Sequence, residues 1–141
     1  MEIKEIQATQ LINEDNILFK EPFVTAYFSK ELNIVGVVWH GFLKTENYTS
    51  TFDRLIEFAE NNKVIGFYSD IRDQGVVSIE ARKYFESTIS PKAKELGIDK
   101  TGIVSDSSPF KKYYLNTVIK MTGRPAKIFS DPDKAINFIL D

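Results

Sequence analysis

Three serine-aspartate pairs, Ser69-Asp70, Ser105-Asp106 and Ser130-Asp131, punctuate the chain, each where a strand-like stretch ends before a helical one. In an open α/β sheet, ligands gather at the carboxyl ends of the strands. Three hydroxyls and three carboxylates at one sheet edge would supply the hard oxygen donors a hydrated divalent cation takes. The plainer reading is that Ser and Asp are the residues with which βα loops cap helices. Asp70 also stands two residues before Arg72, so the two share a side of the chain if the extended conformation continues that far. Arg72 is then either an anion contact at the rim of a cleft or the partner of a local ion pair that anchors the loop. His40 is the sole histidine, and no nucleophile that it would activate as a general base stands near it in sequence.

Composition removes other chemistries. The 141 residues contain no cysteine, which excludes disulfides, thiol catalysis and cysteine-ligated metals. One histidine leaves little for zinc or for a Ser-His-Asp triad. Eighteen Lys and Arg against 20 Asp and Glu give a net charge of −2, without the basic excess of a nucleic-acid binder. The lysine clusters Lys92-Lys94, Lys111-Lys112 and Lys120-Arg124 are offset by acids elsewhere and read as solvated faces. The glycines are isolated and match neither the dinucleotide-binding nor the P-loop spacing. No cofactor and no metal is expected. The first residues lack the basic start and apolar stretch of a signal peptide. No run approaches the roughly 18 apolar residues that span a bilayer. A cytoplasmic protein without membrane insertion is the expectation.

The elements that position these residues follow from periodicity. Segments 16–20, 23–29 and 34–40 are short and rich in aromatic and branched residues, and two polar turns separate them, so they predict an antiparallel meander of three strands. The third is apolar on both faces, as in a strand covered on each side. Thr45 is read as an N-cap, and Tyr48, Phe52, Leu55, Ile56 and Ala59 follow with the spacing of one buried helical face. Strand 64–69 leads to Ser78, the cap of a helix with Ala81, Phe85 and Ile89 on its inner side. Pro91 is expected to break or kink that helix, and a further turn or two stops at Gly97. Strand 101–105 is followed by Ser108-Pro109, a cap with proline at the first helical position, and by a helix lined by Phe110, Tyr114, Val118 and Met121. Strand 126–129 and the same device at Asp131-Pro132 introduce a last helix with Ala135, Ile136, Ile139 and Leu140 inward. Residues 1–141 thus predict a single α/β domain: a mixed sheet of five or six strands under four helices, a meander followed by β-α-β-α-β-α.

This pattern resembles the small bacterial SpoIIAA-like proteins of the STAS superfamily, whose fold recurs in CRAL-TRIO lipid-binding domains. The likeness is carried by Trp39-His40-Gly41 after the central strand, Asp70-Ile71-Arg72 closing the next, and Val77-Ser78-Ile79-Glu80 entering the following helix. It implies a non-enzymatic regulatory module that works by binding a protein partner, a second copy of itself included. The lipid-binding relatives imply an alternative, a carrier or sensor of a small apolar ligand. The superfamily's anti-sigma-factor antagonists place a phosphorylated serine and a glycine at this helix start. Here Ser78 lies one position short of that acceptor, Ile79 occupies it and the glycine is missing, so Ser78 reads as a helix cap.

Aromatic residues make up 13% of the chain, more than a core of this size requires, and several come as neighbours: Tyr27-Phe28, Tyr84-Phe85 and Tyr113-Tyr114. One member of each pair fills the core and the other lies at its edge. Tyr84 and Tyr113 are therefore the edge tyrosines expected to line a pocket or a protein-binding patch, unless they serve only as boundary packing. Together with Asp70, Arg72 and Ser78 they are the candidate interaction residues.

Overall fold

The computed structural model describes residues 5–106 and 125–141. Six strands form one sheet in chain order: β1 (Ile17–Glu21), β2 (Val24–Ser29), β3 (Ile34–Trp39), β4 (Gly66–Asp70), β5 (Lys100–Val104) and β6 (Ala126–Phe129). The first three are antiparallel, and β3 to β6 run parallel. The meander and the parallel half are thus as the turn signals and helical crossovers predict. At the β2–β3 turn the Ser29 hydroxyl accepts the Leu32 N–H at 3.1 Å, and Asn33 takes φ +58°. Asparagine is among the few side chains that tolerate this left-handed conformation.

Alternation along the strands divides the core in two. Val35, Val37 and Trp39 of β3 face α1 (Thr45–Asn61), α2 (Ile79–Tyr84) and α3 (Ser90–Glu95), in a cluster with Phe52, Leu55 and Ile89. On the opposite face Ile34, Tyr68 and Val104 meet α4 (Pro132–Leu140) through Ala135, Ile136 and Ile139. Glycine decides how closely α4 lies on the sheet. A Cβ at Gly102 would come within 2.6 Å of the Ala135 carbonyl oxygen, and one at Gly66 within 2.1 Å of the Ile139 side chain. The helix rests directly on the backbone of β4 and β5.

Three local details differ from the sequence reading. Thr45 is not the cap of α1: Lys44 occupies that position, its N–H bound at 3.0 Å by the Asn47 side chain, and Thr45 opens the helix itself. Pro91 does not break its helix. A π-helical turn, Phe85–Ile89, precedes it, in which the Ser90 N–H reaches back to the Phe85 carbonyl. Proline donates no N–H and its ring crowds the carbonyl four residues earlier. The wider turn accommodates it, and α3 runs on to Glu95, with Gly97 at φ +83° just past its C-cap closing the helix. Residues 8–16, for which the strand pattern makes no provision, contain two short 3₁₀ turns, Ala8–Gln10 against α4 and Glu14–Asn16 beside β2. There the Ala8 N–H meets Asp133 at 2.7 Å, and Ile6 exchanges two hydrogen bonds with the Asn137 side chain. The helix expected after Ser108-Pro109 lies outside the described residues. Among the described residues, no helix is long and apolar enough to cross a membrane.

Candidate functional site

Two loops leave the sheet side by side at the carboxyl ends of β3 and β4, and backbone bonds tie them together. The Gly41 N–H donates to the Asp73 carbonyl at 2.7 Å, and the Gly75 N–H donates to the Gly41 carbonyl at 2.8 Å. Both glycines are required. Gly41 has φ +63°, and a Cβ on Gly75 would sit 2.7 Å from the Gly41 oxygen. The residue after each glycine turns outward: Phe42 is 80% exposed and Val76 87%. Ile79, in the first turn of α2, is 62% exposed. Three large apolar side chains thus stand in solvent on or beside two braced loops.

Asp70 and Arg72 anchor the base of this platform. The Asp70 carboxylate ends β4 and is buried, and it accepts the Arg72 backbone N–H at 3.0 Å and the guanidinium through Nε at 3.1 Å and Nη2 at 2.7 Å. The Arg72 side chain is half exposed, and the hydrogen bonds it donates to Asp70 raise its pKa further, holding it charged. Of the two roles open to Arg72 in the sequence, the loop-anchoring one is present. Ser78 caps α2 by accepting the Ala81 N–H at 3.1 Å, and its hydroxyl lies 2.7 Å from that of Thr45. The structure therefore groups Asp70, Arg72 and Ser78 at one end of the sheet.

Tyr84 belongs elsewhere. Its hydroxyl donates to Asp53, so it joins α2 to α1 instead of lining a gap, and this bond, with burial second, raises its pKa. Tyr113 lies outside the described residues. The serine-aspartate pairs serve separate purposes. Ser69 accepts the Trp39 indole N–H at 3.2 Å, and Asp131 caps α4 through the Asp133 N–H at 2.9 Å. Among the described residues, no three His, Asp or Glu side chains are grouped to hold a metal ion. His40 places Nε2 3.3 Å from the Thr25 hydroxyl.

A second feature lies behind the platform, between the sheet and the α1–α2 layer. A cavity of about 90 Å³ is walled by aromatic rings, Trp39, Phe52, Phe67 and Phe85 among them, and also by the polar side chains of Ser69 and Thr101. Gln74, Arg82 and Glu86 also line it. The rings pack on one another as they surround it: Trp39 stacks on Tyr48 at 5.3 Å, and Phe52 meets Phe85 edge-on at 5.0 Å.

Sequence reasoning passed over Phe42, Val76 and the cavity. The first two carried one signal, an apolar residue directly after a loop glycine (Gly41-Phe42, Gly75-Val76). The cavity had none, because it arises from elements brought together by the crossovers. No protein-family model, no curated protein and no solved structure matches this chain.

Proposed function

We propose that this protein is a non-enzymatic, cytoplasmic interaction module of the SpoIIAA-like type. On this reading it docks another protein through the platform formed by Phe42, Val76 and Ile79, with Arg72 beside them. The observation that carries the reading is the exposure of three large apolar side chains on and beside loops held rigid by the Gly41–Asp73 and Gly75–Gly41 backbone bonds. Apolar groups that cluster on a braced surface, where nothing within the chain requires them, mark a place of association. The phrases that carry the family likeness, Trp39-His40-Gly41, Asp70-Ile71-Arg72 and Val77-Ser78-Ile79-Glu80, all lie at or beside this end of the sheet. With its hydroxyl engaged by Ala81 and Thr45, Ser78 acts here as a structural cap. The test compares capture from host lysate by the wild type and by Phe42→Ser/Val76→Ser. A partner held by the first and released by the second supports the reading; identical capture by both contradicts it.

The cavity favours a second reading, a carrier or sensor of a small ligand. Its mixed aromatic and hydroxyl lining is that of a binding pocket, although it is far smaller than the few hundred Å³ of a typical one.

A further inference from the structure

A second cavity lies beside the first in the layer between the sheet and the helices. It measures about 30 Å³ and its lining is apolar throughout, with Leu55, Ile89, Ala93 and Ile98 among its walls. Phe52, Phe67 and Phe85 border both cavities. Three elements meet the two in the same order. On β3, Trp39 borders the larger cavity and Val35 the smaller. On β4, Ser69 borders the larger, Phe67 both and Gly66 the smaller. On α1 the order is Tyr48, Phe52 and Ala59. The cavities therefore stand end to end along the strands, parted by three phenylalanine rings.

Native cores contain few voids larger than a water molecule, so two in line call for a reason. The partition between them is built to yield. A side chain with space on both sides can take another rotamer without the overpacking that penalises such a change elsewhere. Phe85 also opens the π-helical turn Phe85–Ile89, and Ile89 of the same turn borders the smaller cavity. Single π turns are uncommon and occur disproportionately at functional sites. The helices on either side of it, α2 and α3, have six residues each. Helices that short owe their stability to packing. The roof over the partition is thus held by its contacts with the rings beneath it.

Shape and chemistry define the occupant. The larger cavity, about 90 Å³, equals roughly three water molecules at about 30 Å³ each, and the smaller equals one. A methylene group is of similar bulk. An elongated space with a constriction suits a narrow unbranched chain, whereas a ring or a branched group would fill the larger part alone. The smaller cavity has no polar side chain in its walls, so a charged or strongly polar end cannot enter it without a desolvation cost. Polar side chains, Ser69 and Gln74 among them, border only the larger one. We propose that the two cavities together receive a neutral, unbranched aliphatic molecule of about six carbons. Its methyl end passes between Phe52, Phe67 and Phe85 into the smaller cavity, and an uncharged polar head such as a hydroxyl stays in the larger. This assignment rests on the second reading above, that the cavity takes a ligand, and it names the ligand's chemistry.

Trp39 borders the larger cavity and is the sole tryptophan, so its fluorescence reports occupancy. The full chain is titrated with 1-butanol, 1-pentanol and 1-hexanol, and with cyclohexanol as a ring of the same carbon number as the last. The expected result is saturable binding whose affinity rises about fourfold with each added methylene through 1-hexanol, with cyclohexanol about tenfold weaker or worse. Ala93→Leu fills the smaller cavity and is expected to abolish the gain beyond 1-butanol while leaving 1-butanol bound. The alcohol series on the wild type decides even where that variant fails to fold. A series that stops improving at 1-butanol, cyclohexanol bound as tightly as 1-hexanol, or an unchanged series in folded Ala93→Leu would overturn the chain while leaving a ligand cavity. Absence of binding by every alcohol would overturn the assignment and the second reading together.

Discussion

The hydroxyl of Ser78 lies 2.7 Å from that of Thr45, and this contact joins the first turns of α1 and α2 at the foot of the candidate platform. Ser78 simultaneously caps α2 through the Ala81 N–H. Ser78→Ala removes both bonds and is expected to cost about 1 kcal/mol, the usual value of a lost N-cap. Ser78→Asp preserves a capping oxygen and is expected to lose less. Urea unfolding of the two variants checks the order, and a more stable alanine variant would show that the cap contributes nothing.

Arg72→Ala leaves the buried Asp70 carboxylate with only the backbone N–H among its present Arg72 partners. Because the guanidinium is half exposed, the pair is worth less than a fully buried one, and a loss of about 2 kcal/mol is expected. Arg72→Lys is expected to recover only part of it, since an ammonium cannot reproduce the two-pronged contact made by Nε and Nη2. Thermal melts of the three proteins decide: equal melting temperatures would mean that Asp70 gains nothing from its neighbour.

The close seat of α4 makes two glycines indispensable. Gly102→Ala drives a Cβ toward the Ala135 carbonyl, which is backbone and yields only if the helix moves, and about 2 kcal/mol or more is expected. Gly66→Ala meets the Ile139 Cγ2, a methyl fixed close to the helix on a buried β-branched side chain with one strongly preferred rotamer, so a comparable loss is expected. Chemical denaturation of the two variants checks this. Unchanged stability in either would mean that α4 shifts freely on the sheet.

Two tyrosines set an alkaline limit. Burial, with the charge of Asp70 second, pushes the Tyr68 phenol well above its ordinary value of 10.0, and the hydrogen bond to Asp53 raises that of Tyr84. Both groups hold their protons more tightly when folded. The stability they contribute is full below about pH 10 and is lost as the pH rises above it, where the unfolded chain ionises first. Stability measured from pH 8 to pH 11 is expected to fall above pH 10, and less steeply in Tyr68→Phe. An unchanged slope in that variant would remove Tyr68 from the account.

Much of the fold could be read from spacing because spacing reports burial. Phe52, Leu55 and Ala59 are inward as their helical period requires, and Asp131-Pro132 starts α4 where a cap and a proline should. The misreadings share a different cause. Thr45 has the composition of a cap, but its hydroxyl is drawn to Ser78, 33 residues away. Pro91 reads as a break because sequence does not reveal that the turn before it widens. Tyr84 looks like an edge residue until α1 brings Asp53 beside it. In each case a long-range partner outweighed the local rule. The site follows the same division. Asp70, Arg72 and Ser78 are legible because their partners stand within three residues of them, Thr45 excepted. Phe42 and Val76 form one surface only once β3 and β4 align in parallel.

Docking through the platform is tested most directly by photo-crosslinking in living cells, with a photoreactive residue at Val76 and, as a control, at Glu57, an exposed position on α1. The account predicts a discrete protein adduct from Val76, absent from Glu57 and abolished by Phe42→Ser. No adduct from Val76, or the same adducts from both positions, would contradict it.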